Sequence, residues 1–398
     1  METSIFEQLS GGMKYQLQIY FAGTKNIKPK LPVSFEALEQ KAREVMKPEA
    51  FGYIAGGAGG EATMDNNKAA FNHWQIVPRM MGDVSERSIA IELFGTQLPS
   101  PILLAPVGVL SIAHPEAEVA VARAAGSLHV PQIVSTVSSR TIEEIGTANA
   151  GNPHWFQLYW GRNDDFTRSM ISRAEKAGYS AIVVTLDTRL FAWRERDIQN
   201  AYLPFLYNEG LANYFSDPVF LSEVGDPAKD PMKTMMHFAH CFSNPSSTWE
   251  DLAVLRNVTK LPVIVKGIQH PDDAKKAIDH GADGIIVSNH GGRQMDGAIG
   301  AIDTLEGIAD AVGNNTTILF DSGIRRGADV FKAMALGAKA VLIGRPYAYG
   351  LAIAGEEGVE EVLANLLADV DLTLGLAGCT SWEEVTKDTL KYFWKKKK

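Results

Sequence analysis

Eight short apolar runs limit what this chain can fold into more than any other feature. They are PILLAP (101–106), PQIVST (131–136), HWFQLYW (154–160), AIVVTLD (181–187), PVIVKG (262–267), GIIVSNH (284–290), TILFDSG (317–323) and AVLIGR (340–345). Continuous apolar runs flanked by Gly and Pro suit strands buried on both faces. Between most of them lie helix patterns. EAEVAVARAAGSLH, DDFTRSMISRAEKAG, HPDDAKKAIDHG and GADVFKAMALG carry apolar residues at helical spacing, and the last three end in a glycine suited to a C-cap. Eight strands alternating with helices over roughly 250 residues predict an α/β fold, a TIM (β/α)8 barrel. An open doubly wound sheet is the alternative, but it usually has fewer strands and a glycine-rich first turn.

Residues 1–100 then read as an N-terminal helical extension, 101–375 as the barrel and 376–398 as a C-terminal segment. In the extension, SFEALEQKAREVM predicts a helix capped by Ser34. Gly57-Ala58-Gly59-Gly60-Glu61-Ala62 loosely matches a dinucleotide fingerprint. A helix rather than a strand precedes it, so a glycine turn between helices is expected. The rhythm breaks between Asp187 and Pro262, where no strand pattern occurs. The insert holds NAYLPFLYNEGLANYFSDPVFL, too aromatic for disorder, and residues 195–250 are expected to form a functional lid.

With 38 basic against 47 acidic residues, the formal net charge is −9, which argues against nucleic acid as a partner. The closing YFWKKKK is read as a solvated tail. Two distant cysteines, Cys241 and Cys379, build neither a disulfide framework nor a zinc site. HFAHC (237–241) lacks a fourth ligand, so it is read as lid structure and no metal is expected. No apolar run is long enough for a membrane span, and no signal peptide or peroxisomal tripeptide is evident; a cytoplasmic, membrane-free protein is expected.

The proposed strands end in Val107-Gly108, Ser135-Thr136, Gln157 with Tyr159, Thr185 with Asp187, Lys266, Ser288 with His290, Asp321-Ser322-Gly323 and Gly344-Arg345. In a barrel these polar ends share one mouth, where active sites sit. DSGIRRG and GRP, after strands seven and eight, bring glycines, Arg325 and Arg345 to the usual phosphate position. The plainer reading is turns with surface arginines. Lys266 could be a Schiff-base nucleophile, an ion-pair partner, or a cation beside a cofactor that becomes negative. Asp187 and His290 could pair across the mouth, the carboxylate raising the basicity of the far ring nitrogen. Arg194 and Arg293 could clamp a carboxylate, whereas Arg196 reads as a surface ion pair.

APVGV, FQLYW, TLDT, VKGIQHP, SNHGGRQ and the DSGIRRG and GRP pair, in this order, resemble the blocks of the FMN-dependent α-hydroxy-acid oxidase family from about Leu31 to about Leu390. YIAGGAGGEAT, HWxxxPRM, PVGV and the lid segment resemble its lactate 2-monooxygenase subgroup. The resemblance implies FMN as cofactor. It makes His290 the base and Asp187 its partner. Arg293 and Arg194 would bind the substrate carboxylate. Tyr53 and Tyr159 would hydrogen-bond the substrate, and Tyr214 in the lid is also expected to contact it. Val107, Gly108, Ser135, Gln157 and Thr185 would contact the flavin ring, with Lys266 and Ser288 beside it. Asp321, Gly323, Arg325, Gly344 and Arg345 would hold ribityl and phosphate.

Val137 stands where glycolate oxidase-like members carry a large aromatic, and Gly108 where an alanine is common; both reshape the pocket. The expected reaction is oxidation of an L-2-hydroxy acid such as L-lactate, with O2 as electron acceptor, through hydride or carbanion chemistry. Pyruvate retained under the lid would be decarboxylated in place by the nascent peroxide, giving acetate, CO2 and water; pyruvate released early would leave with H2O2. The rival readings are a phosphate-sugar aldolase using Lys266 and a ligand-binding barrel without turnover. The family resemblance also implies a homotetramer or homo-octamer.

Overall fold

The computed structural model describes residues 9–393. Eight parallel strands close into a barrel. They are β1 (Ile102–Leu104), β2 (Gln132–Ser135), β3 (His154–Leu158), β4 (Ile182–Thr185), β5 (Val263–Ile268), β6 (Gly284–Val287), β7 (Thr317–Phe320) and β8 (Ala340–Ile343). Each begins or ends within a few residues of its predicted run. The strands alternate between two cores because successive side chains point to opposite faces. Leu103, Ile133, Trp155, Val183, Ile264, Ile286, Leu319 and Leu342 form one cluster, inside the barrel. Ile102, Leu104, Val134, Phe156, Val184, Val265, Val287 and Phe320 join a larger cluster with the surrounding helices. The three predicted capping glycines, Gly178, Gly281 and Gly337, all lie at positive φ.

The N-terminal segment wraps this barrel. Helices span Gly11–Gly23, Phe35–Val45, Pro48–Ala55 and Ala62–Ala70. Ser34 accepts from the backbone N–H of Ala37, as a cap should. The glycine run 56–60 is a turn between the last two helices, with no strand ahead of it. The segment also carries an antiparallel hairpin, Ile91–Leu93 with Thr96–Leu98. Leu93 and Leu98 join the interior cluster and Phe94 packs edge-on to Trp155, so the hairpin plugs the N-terminal end of the barrel. The C-terminal helix, Arg345–Leu376, breaks at Ala354 and Gly355 and packs on the first two helices. Leu390–Tyr392 pairs with Trp74–Ile76, so Tyr392 belongs to a strand rather than a tail; the lysine run lies outside the described residues.

The long insert is folded. Among the described residues it holds the helices Glu195–Gln199, Ala212–Phe215, Pro218–Val224 and Pro231–Phe242 and no strand. Phe205, Tyr214, Phe220, Phe238 and Phe242 pack as one aromatic group with Phe166 of the barrel. Asn213 pins the insert to the loop after β2. Its amide donates to Thr136 O and Ser138 Oγ, and its oxygen accepts from Ile142 N. No helix among the described residues is long and apolar enough to cross a membrane.

Candidate active site

A cleft of about 940 Å³ opens at the C-terminal ends of the strands. Its lining includes Tyr53, Val107, Gly108, Tyr159, Arg194, Lys266, His290, Arg293, Asp321, Gly323, Arg325, Gly344 and Arg345. The expected convergence of strand ends is therefore observed for residues that lie far apart in the chain.

The turn after β6 organises the centre. Ser288 Oγ accepts from Lys266 Nζ at 2.8 Å and from the His290 N–H at 3.0 Å. His290 sits at φ +58, a conformation that costs a non-glycine residue energy. Ser322, in the sequence simply one of the polar strand ends, holds it there: its Oγ accepts from Asn289 N at 3.2 Å and Gly291 N at 3.0 Å. Below, the amides of Asn289 and Asn67 exchange hydrogen bonds at 2.7 and 2.8 Å, tying the turn to the N-terminal segment. Neither Ser322 nor Asn67 carries a signal of its own in the sequence, because each acts through backbone or amide contacts across the fold.

His290 Nδ1 lies 2.7 Å from Asp187 Oδ1. Burial is the main effect lowering the imidazole pKa, with Lys266 and Arg194 adding to it, and Asp187 only partly offsets them. Burial also works against the Asp187 charge, yet His290 and Lys266 hold that carboxyl below its usual range. An ionised Asp187 accepts the Nδ1–H, which leaves Nε2 with a free lone pair.

Lys266 Nζ lies 3.1 Å from Asp321 Oδ2. Burial opposes its charge, but Asp321 and Asp187 outweigh this and the pKa is raised. A lysine held protonated is a poor Schiff-base nucleophile, which removes the aldolase reading.

Three part-buried guanidiniums lack an acidic partner among the described residues. Arg293 donates to the carbonyls of Tyr53 and Gly56, each at 2.6 Å, and lies over the Tyr53 ring. Arg345 donates to the carbonyls of Ala55, Gly56 and Gly291. Arg325 donates to Ile324 O and leaves Nε buried without a partner. Burial, then Arg194 and Arg345, pulls Arg293 down to about 9. Burial and Arg345 pull Arg325 to about 10. Cations this uncompensated call for anions. Arg194 donates to Arg293 O and Gln294. Arg196 pairs with Glu61, an exposed ion pair as expected, although its partner lies across the glycine turn.

Ser135 and Gln157 bond to each other at 3.1 Å, while Gln157 Nε2 and Thr185 Oγ1 are buried without partners. These orphaned groups, the glycine-lined phosphate loops and the uncompensated arginines fit a flavin mononucleotide. At Gly108 a Cβ would lie 2.6 Å from Val137 O, so its missing side chain admits the neighbouring loop rather than leaving a void.

Tyr214 departs from expectation. It is 0 % exposed, stacks on Phe166 and does not line the cleft. The aromatic spacing of the lid serves its own core here.

Residues 42–392 match the model of the FMN-dependent dehydrogenases. An FMN-dependent α-hydroxy acid dehydrogenase of Penicillium citrinum is 43% identical over 382 residues, covering 95% of each chain. An L-lactate oxidase of Lysinibacillus sphaericus is 45% identical over 361 residues, covering 90% of this chain and 92% of that one. A crystal structure of mandelate oxidase superposes with a TM-score of 0.80 at 41% identity, covering 90% and 98%. The chain belongs to the FMN-dependent dehydrogenase family, and FMN is its cofactor. Within that family it is an FMN-dependent α-hydroxy-acid oxidoreductase.

Proposed function

We propose that this enzyme oxidises L-lactate with O2 and retains the product long enough to yield acetate, CO2 and water. The observation that carries the oxidation is the 2.7 Å contact of His290 Nδ1 with Asp187, in a cleft lined by Arg194, Arg293, Tyr53 and Tyr159. Bound FMN would supply the two-electron acceptor, with O2 as the final oxidant. Val107, Gly108, Ser135, Gln157, Thr185, Lys266 and Ser288 would hold its ring, and Asp321, Gly323, Arg325, Gly344 and Arg345 its ribityl phosphate.

Arg293 and Arg194 bind the substrate carboxylate, and Tyr53 and Tyr159 orient the substrate. His290 Nε2 takes one proton, and Asp187 stabilises the resulting imidazolium. Lys266 keeps a fixed positive charge at the cofactor. The lid's aromatic core and its Asn213 anchor support slow product release. The 45% identity to an L-lactate oxidase favours a second outcome, release of pyruvate with H2O2. The likeness to mandelate oxidase keeps a bulkier acid in view.

Adding L-lactate to the FMN-loaded enzyme without O2 should bleach the flavin; no bleaching overturns the lactate assignment. In air, acetate should match lactate consumed. Stoichiometric pyruvate and peroxide would move the reading to the oxidase. Both cysteines are free and buried, which supports a cytoplasmic location. A homotetramer or homo-octamer is the proposed assembly, and light scattering tests it.

A further inference from the structure

The pair His290–Asp187 is also contacted by Thr188, which does not line the cleft. Asp187 Oδ1 receives the imidazole at 2.7 Å and the Thr188 hydroxyl at 3.3 Å. Thr188 Oγ1 also lies 3.4 Å from His290 Nδ1, so one hydroxyl braces both members. Asp187 Oδ2 is buried with no hydrogen-bond partner, which leaves Thr188 as the brace besides histidine among the described residues.

The backbone of β5 closes the other side. The ladder slips between Lys266 and Ile268, and Gly267 takes φ +110 at the slip. Lys266 O accepts from Leu186 N on β4's side, while Ile268 O accepts from Ser288 N on β6's side. A Cβ at Gly267 would lie 2.8 Å from Asp187 Cβ, 2.9 Å from its Cγ and 3.0 Å from its backbone N. Those atoms are the root of the side chain, so Asp187 could not swing clear of a methyl group. The bulge therefore lets the strand pass against Asp187 while presenting Lys266 to the cleft.

We infer that Thr188 and Gly267 are positioning residues that hold Asp187 against His290 and so set the basicity of that histidine. The inference rests on His290 acting as the base. The charged groups that face His290 are Asp187, Lys266 and Arg194. Only Asp187 favours the imidazolium, so displacing it lowers the basicity of the ring.

The test compares Thr188→Val, Thr188→Ser, Gly267→Ala and His290→Gln, each loaded with FMN, by anaerobic stopped-flow reduction with L-lactate. Thr188→Val should slow reduction about tenfold or more at unchanged FMN content and substrate affinity. Thr188→Ser should recover to within about threefold, since it restores the hydroxyl. Gly267→Ala should slow reduction about a hundredfold and move the acid limb of kcat/KM to lower pH. In proton NMR the low-field Nδ1–H signal, assigned by its loss in His290→Gln, should also be lost in Gly267→Ala. If Gly267→Ala does not fold, the threonine pair decides. Thr188→Val at the parental rate, or a serine variant no better than valine, overturns the inference. His290→Gln reducing at the parental rate would instead overturn the base assignment beneath it.

Discussion

At the scale of single residues, charge and burial decide the chemistry. His290 lies part-buried beside cations, and burial with Lys266 and Arg194 lowers its pKa, which favours the neutral imidazole. A base must be unprotonated to act, so activity falls as pH drops through its pKa. The acid limb of kcat/KM is therefore expected below 6.5, the ordinary histidine value. A pH–rate profile of the parent enzyme checks this; a limb at or above that value contradicts it. Arg325 presents the opposite case, a part-buried cation whose Nε is buried and orphaned. Arg325→Met should weaken FMN binding about tenfold or more, read by fluorescence titration of the apoprotein. The types and spacing of these residues were legible in the chain, since SNHGGRQ and DSGIRRG announce a base and an anion site. Ser322, Thr188 and Gly267 were not, because their roles rest on contacts as close as 2.8–3.4 Å with residues distant in the chain.

At the scale of elements, the proposed choice of product rests on the insert after β4. Glu209 accepts from Ser111, whose hydroxyl lies 2.7 Å from that of Ser139. Beneath them buried Glu118 accepts from Leu110 N and Ser139 N, and burial pushes its carboxyl up to about 7. The lid is thus latched to the loops after β1 and β2. Glu209→Gln weakens the latch and should raise the share of pyruvate and H2O2 over acetate about two- to fivefold, for a loss on the order of 0.5–1 kcal/mol. Product analysis by NMR with a peroxide assay measures it. The insert was recognisable from its length and aromatics. The inward burial of Tyr214 was not, because composition cannot say whether an aromatic faces a ligand or its own core.

At the scale of the whole molecule, function and stability occupy opposite ends of the barrel. The hairpin 91–98 seals the N-terminal end with Leu93, which is 2 % exposed. Leu93→Ala removes buried volume far from the cleft. It should cost about 2–4 kcal/mol of stability, seen as a lower Tm, while kcat stays near the parental value. A fall in kcat at a temperature where the variant is folded would contradict that separation.

The sequence by itself determined the barrel, the location of the long insert and the residue types at the mouth. Strand periodicity and glycine punctuation are local properties, and eight repeats of them leave few ways to fold. Only the tertiary structure decided that Lys266 is ion-paired and protonated, that Tyr214 turns inward, and that a hydroxyl and a bulge brace Asp187. Each depends on distance and burial between segments remote along the chain, and no local pattern encodes either.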